Sequence, residues 1–281
     1  MRTSPTGRQL RLGAELRKLR ERAGLTATEA GQLLGVKQNQ ISNTEAGRIG
    51  VSPERVSTLA HHYKCGDPAL VQALSGMAAD RKRGWWEEYR EILPAALLNL
   101  AEVEHHATRL RGAVTVHIPG LLQTAEHARE LFRQVVPEFP PPDIEHRVSF
   151  RIKRQTVIYR DNPTPYLALI HEAALRMQFG GAATARAQLQ HLLDMSEREH
   201  ITIRVLPFAA GGFPGSGQSI FYSHGPVPQL DTVHLDQSHG PVFLDAEAQL
   251  DMYRVLLDRL DSRALAPDKS RDVINHLIRE L

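Results

Sequence analysis

The sequence predicts an all-α N-terminal helix-turn-helix domain of five short helices, followed by a larger mixed α/β domain. Three observations predict it. Before residue 81, apolar residues recur at helical spacing five times between start and stop signals. Beyond residue 160, short β-rich runs alternate with helical stretches. Between the two regions lies a polar, basic joint, Arg81-Lys82-Arg83-Gly84. Domains of 7–80 and 81–281 follow.

In the first helix Leu12, Leu16 and Leu19 share one face, and Gly24 ends it. The second spans about 28–34. Thr26 stands at its N-cap with Glu29 three residues on, the spacing of a capping box. Gly35-Val36 turn the chain into a third helix, about 38–46, stopped by Gly47. Ser52-Pro53 open the fourth, with Val56, Leu59, Ala60 and Tyr63 on its apolar side. Asp67-Pro68 repeat that signal for a fifth helix ending near Asp80.

Trp85-Trp86 then open a new element and suggest an anchor for the second core. Helices are predicted near 86–93, 95–111 and 121–134. Pro137 and Pro140-Pro141-Pro142 break the chain before a helix over about 143–155. Strands are predicted at 166–171, 201–207, 219–222, 232–235 and 242–244, and helices near 184–197, 245–262 and 268–280.

Composition sets limits. The 281 residues are 42% hydrophobic, enough for real cores. No apolar run approaches the ~20 residues of a membrane span. Residues 1–13 have no apolar signal-peptide core, and Cys65 is the lone cysteine. A cytoplasmic protein is expected, nucleoid-associated when on DNA, with no disulfide and no thiolate zinc cluster. The net charge is only +2, but it is unevenly placed. Residues 1–65 carry eleven basic and five acidic side chains; the rest carries 23 and 27. A basic module on an acidic body suits a polyanionic partner. A solvated charged helix face accounts for the same charges equally well.

The most informative stretch runs from Leu25 to Arg48. Ala30 is small enough for a close helix crossing, Gly35 permits the tight turn, and Val36 and Ile41 face the core. That leaves Lys37, Gln38, Asn39, Gln40, Ser42 and Asn43 outward on the third helix. Amide side chains pair bidentately with adenine in the major groove, each good pair discriminating by about 1–3 kcal/mol. Basic and hydroxyl groups at the rim hold phosphates without reading sequence. A helix face made only for stability favours Glu, Lys and Ala.

At these residues the segment resembles the phage-repressor/Cro (XRE-type) helix-turn-helix family, over about residues 8–63. The resemblance implies that Gln38, Asn39 and Asn43 face bases, with Ser42 beside them. Lys37, Gln40 and Arg48 serve phosphates or the groove edge. Arg20 and Glu45 match positions of a buried, architectural ion pair. The second helix of that family usually opens with a phosphate-binding Gln; here the position is Ala27, with Thr26 or Thr28 as substitutes. Such proteins usually bind as dimers to half-sites about 34 Å apart. A homodimer on a near-palindromic double-stranded DNA operator is expected.

Further segments are 84–89, 116–129, 151–155 and 203–208. With the N-terminal module they resemble the actinobacterial antitoxin-like transcriptional regulators, including developmental regulators of the WhiJ type, over nearly the whole chain. The resemblance implies a repressor-like regulator modulated by a small partner protein from a neighbouring gene, or by a small-molecule effector. It implies no catalytic role, so neither enzyme activity nor a cofactor is expected. The alternative is a ligand-sensing or enzymatic body that uses the helix-turn-helix for targeting.

The remaining features read two ways. His61-His62 and His105-His106 are adjacent pairs without the i, i+4 spacing of a helical metal pair. His171, His224, His234 and His239 lie among β segments, either hydrogen-bonded or forming a metal or acid–base site; no metal is expected. The glycine-rich run 211–217 reads as a connection between strands, a phosphate cradle or a loop over a pocket. Arg147, Arg151 and Arg154 share one helical face, either solvated or meeting an acidic partner or DNA backbone.

Overall fold

The computed structural model describes residues 5–80, 82–215, 217–237 and 240–281, arranged as two compact units, Met1–Glu87 and Glu88–Leu281. His239 lies outside the described residues.

The first unit is five helices: α1 (Gly7–Arg22), α2 (Ala27–Leu33), α3 (Gln38–Glu45), α4 (Pro53–His62) and α5 (Pro68–Ala79). Four of the five starts are fixed by a local side-chain cap; that of α3, at Lys37, has none. Thr6 and Thr26 close capping boxes with Gln9 and Glu29, and Ser52 and Asp67 accept the N–H groups of Arg55 and Leu70. The apolar faces converge on Leu12, Leu16, Leu19, Ala30, Ile41, Val56, Leu59 and Leu74, all buried. Val36 is only half-buried.

The 3-10 turn Trp85–Tyr89 joins the units, in place of the helix expected over 86–93. The second unit continues with α6 (Ala95–His106), β1 (Arg109–Val114), α7 (Ala125–Arg133), α8 (Pro141–Arg154), α9 (Thr156–Tyr159), β2 (Tyr166–His171), α10 (Glu172–Arg176) and α11 (Gly181–Met195). Then come β3 (Ile201–Leu206), β4 (Ile220–His224), β5 (Thr232–Gln237), β6 (Gly240–Leu244), α12 (Glu247–Arg263) and α13 (Pro267–Glu280). The strands form one sheet in the order β3-β2-β1-β4-β5-β6. β1, β2 and β3 are parallel, linked by helical crossovers, and β4 to β6 pair antiparallel.

Both faces are covered, and β2 accordingly reads as a nearly unbroken apolar run, Tyr166 to Ile170. On one face Leu110, Val114, Ala168 and Ile203 pack with Leu192 of α11 and Ile274 of α13. On the other Ala113, Leu169, Tyr222 and Val233 pack with Leu250, Leu257 and Leu260 of α12. The edge strand β3 is protected: the Val205 N–H donates to the buried Ser270 Oγ at 2.9 Å, and the Val205 carbonyl accepts from Leu265.

A second expected helix is cut short. The helix expected over 95–111 stops at His106, and Arg109–Val114 is instead the central strand, paired on both edges. Leu110, Gly112 and Val114 face one way and Arg111 and Ala113 the other. Six residues with two arginines and a glycine carry too little periodicity to separate strand from helix tail; pairing with β2 and β4 decides it.

Candidate nucleic-acid interface

The outward face of α3 is built from three constraints. The turn from α2 needs Gly35 at φ +65°, a conformation L side chains avoid, and the Val36 N–H then donates to the Gly31 carbonyl at 2.9 Å. Close approach needs two more glycines: a Cβ on Gly31 would stand 2.8 Å from the Val36 oxygen, and one on Gly13 only 2.4 Å from the Glu45 oxygen. Ile41 is the single buried side chain of α3 and sets its rotation.

At about 100° per residue, Asn39 and Asn43 lie opposite Ile41. Gln38 and Ser42 flank them on one side and Gln40 on the other. Lys37, Gln38, Asn39, Gln40 and Arg48 are exposed; Ser42 and Asn43 are half-buried. The side chains of Lys37, Asn39, Asn43 and Arg48 make no hydrogen bond or ion pair with another described residue. Gln38 Nε2 donates to Ser42 Oγ at 2.8 Å. That bond uses one amide hydrogen and leaves the other, with Oε1, for the two contacts an adenine edge needs.

The rim differs from the sequence expectation in one respect. Thr26 Oγ1 donates to Glu29 Oε2 at 2.7 Å, and the Thr26 N–H donates to the same oxygen at 2.7 Å. These bonds hold the Glu29 carboxyl below the usual range. The Thr26 hydroxyl proton is therefore committed beside a carboxylate, a poor partner for phosphate. Thr28 is exposed, and its hydroxyl makes no such bond.

Behind this face, Arg20 Nε and Nη2 donate to the two Glu45 oxygens at 2.7 and 2.9 Å, and Nη1 donates to the Leu25 carbonyl. Both side chains are nearly buried, 9% and 8% exposed. The fork-to-fork geometry ties α1 to the end of α3 and raises the Arg20 pKa, chiefly through the Glu45 hydrogen bond. Burial, with Glu45 nearby, pushes the Tyr63 hydroxyl up to about 12.

Gly13 and Gly31 were not singled out from sequence; they show there only as interruptions of helical periods. In the second unit, the Arg147, Arg151 and Arg154 face of α8 is partly buried: Arg154 is buried and Arg147 and Arg151 are half-buried. Arg154 Nε and Nη2 donate to Glu104 at 2.8 and 2.6 Å, both side chains buried. Arg151 Nη1 donates to Gln123 Oε1 at 2.6 Å, and the Arg147 guanidinium lies 3.9 Å from the Phe139 ring centroid. Run 211–217 connects the 3-10 turn Phe208–Ala210 to β4. Among the described residues no three His, Cys, Asp or Glu side chains are grouped to hold a metal. Among the described residues no helix is long and apolar enough to cross a membrane.

A family model described as a helix-turn-helix domain matches residues 11–74. A second, described as a domain of unknown function (DUF5753), matches residues 97–276. No curated protein and no solved structure gives a match.

Proposed function

Because the chain belongs to the DUF5753 family and carries a helix-turn-helix domain ahead of that region, making it a DNA-binding regulator, we propose that it is a sequence-specific, antitoxin-like transcriptional repressor. In this reading it binds a near-palindromic operator as a homodimer. Gln38, Asn39 and Asn43 read bases, Ser42 positions Gln38, and Lys37, Gln40, Thr28 and Arg48 hold the backbone or groove edge. Residues 81–281 are regulatory and not enzymatic, and a small partner protein acts through them. Closer kinship with XRE-type and WhiJ-type regulators belongs to the same reading.

The observation that carries it is the amide-rich face of α3, exposed opposite Ile41, with the Asn39 and Asn43 side chains uncommitted. An unpaired amide on a rigid helix supplies the donor and acceptor that base edges need. Lys37 and Arg48 at the two ends of α3 supply charge that phosphates neutralise.

A mobility-shift titration of the full chain on duplex from upstream of its own gene tests this. The expected result is a retarded complex that resists scrambled competitor and weakens steeply with salt. Equal binding to the scrambled duplex would contradict sequence-specific reading.

A further inference from the structure

The carboxyl edge of the parallel strands gathers polar groups that DNA binding does not use. His117 follows β1, and His127 and Phe132 lie on α7. Arg151 comes from α8, and Phe179 follows α10. Through β4, the register sets Leu235 beside Ala113, so the end of β5 with Asp236 lies at the same edge as the end of β1. In α/β sheets this edge is where ligands are held.

Arg151 is the informative group. Among the described residues its only polar partner is the neutral Gln123 Oε1, and its guanidinium stands 4.7 Å from the Phe132 ring centroid. Among the described residues no carboxylate lies within ion-pair distance of it. Its side chain is half-exposed by surface area, yet desolvation pulls its pKa down to about 10. Its guanidinium is thus reached from solvent while the rest of the side chain packs into the protein. His117 behaves alike: exposed, yet held below its usual pKa by desolvation.

The surroundings are apolar and polar in alternation. The His117 and His127 rings lie 5.3 and 5.6 Å from the Phe179 ring. His127 is 1% exposed, and among the described residues neither ring nitrogen has a hydrogen-bond partner. A buried polar group left unpaired is costly, and functional sites are where such groups persist.

We propose that this cluster of side chains binds a small organic monoanion, a carboxylate with an apolar or aromatic body, whose charge lies on the Arg151 guanidinium. The planar fork of a guanidinium matches a carboxylate in two parallel hydrogen bonds. The body lies against Phe132 and Phe179, with Gln123 and His127 offering further polar contacts. The local charge favours a monoanion over phosphate. Arg154, one turn on, is neutralised by Glu104 in two hydrogen bonds. The exposed Asp236 adds negative potential at Arg151 without pairing with it. Of these two guanidiniums, that of Arg151 is left without an ion-pair partner among the described residues.

The site is independent of the DNA-binding reading, and its test uses the full chain without DNA. Calorimetric titration with benzoate and with hexanoate reads binding directly, with benzamide and inorganic phosphate as comparisons. The expected result is saturable binding of at least one carboxylate, with benzamide and phosphate each at least about tenfold weaker. Arg151→Gln should reduce carboxylate affinity at least about tenfold, and Arg151→Lys should recover part of it. Nitrogen-15 shifts of the His127 ring on adding benzoate give a second readout in the unsubstituted protein, whatever the variants do to folding. The proposal is overturned by benzamide binding as well as benzoate, by phosphate binding more tightly, or by undiminished benzoate binding to a folded Arg151→Gln protein. Failure of both carboxylates to bind up to about 10 mM would overturn it as well.

Discussion

Gln38 shows how much one hydrogen bond contributes to recognition. Its bond to Ser42 lies along the helix and holds the amide in one rotamer, so less side-chain freedom is lost when it meets a base. Ser42→Ala should therefore keep overall affinity nearly unchanged while lowering discrimination at the base pair Gln38 reads, by less than the about 1–3 kcal/mol of the whole contact. Competition binding with single-base operator variants measures it. Arg48→Ala should weaken every duplex alike and flatten the salt dependence, since phosphate contacts carry no sequence information. The Arg20–Glu45 pair is different in kind. Its residues lie 25 apart in sequence, so periodicity could not connect them; only the resemblance to a known family did. Removing one partner strands a nearly buried charge, and Arg20→Ala should cost roughly 3–5 kcal/mol in urea unfolding of the N-terminal unit.

At the scale of elements, legibility followed the strength of local signals. The capping box of α2, the Ser-Pro start of α4 and the Asp-Pro start of α5 are short-range chemistry, and each opens a helix where the residues imply. β1 was misread because a strand buried between two neighbours needs no local signature of its own. The face of α8 was left open between two readings for a related reason. Three arginines at helical spacing look solvated, until Glu104, 50 residues before Arg154, is placed beside it. Helix packing was also hidden in what is missing: Gly13 matters because α1 touches the backbone of α3. Gly13→Ala should force the helices apart, costing about 1–3 kcal/mol and lowering the thermal midpoint of the N-terminal unit. Unchanged stability would mean the approach is not required.

At the scale of the whole molecule, the two units respond to different chemistry. The second carries His127 and His234 buried and held neutral, with pKa values lowered to about 4 and about 3, mainly by desolvation. A lowered folded-state pKa contributes stability that is present above the ordinary value near 6.5 and is lost as pH falls toward the folded value. The urea midpoint of this unit should therefore drop as pH is lowered from about 6.5 toward 4. His234→Phe keeps a ring stacked on Phe221, whose centroid lies 4.5 Å away, and removes the titration. The variant should lose less stability across that window, by on the order of 3 kcal/mol. A pH dependence identical to the unsubstituted protein would rule out His234 as a contributor.

Selection of duplexes from a randomised pool, run in parallel with the full chain and with its Asn39→Ala variant, bears most directly on the role given to α3. The unsubstituted protein should enrich a near-palindromic motif of two half-sites. Asn39→Ala should lose sequence preference at one position in each half-site and keep the rest. Identical motifs from both proteins, or no enrichment by the unsubstituted chain, would contradict base reading by this face.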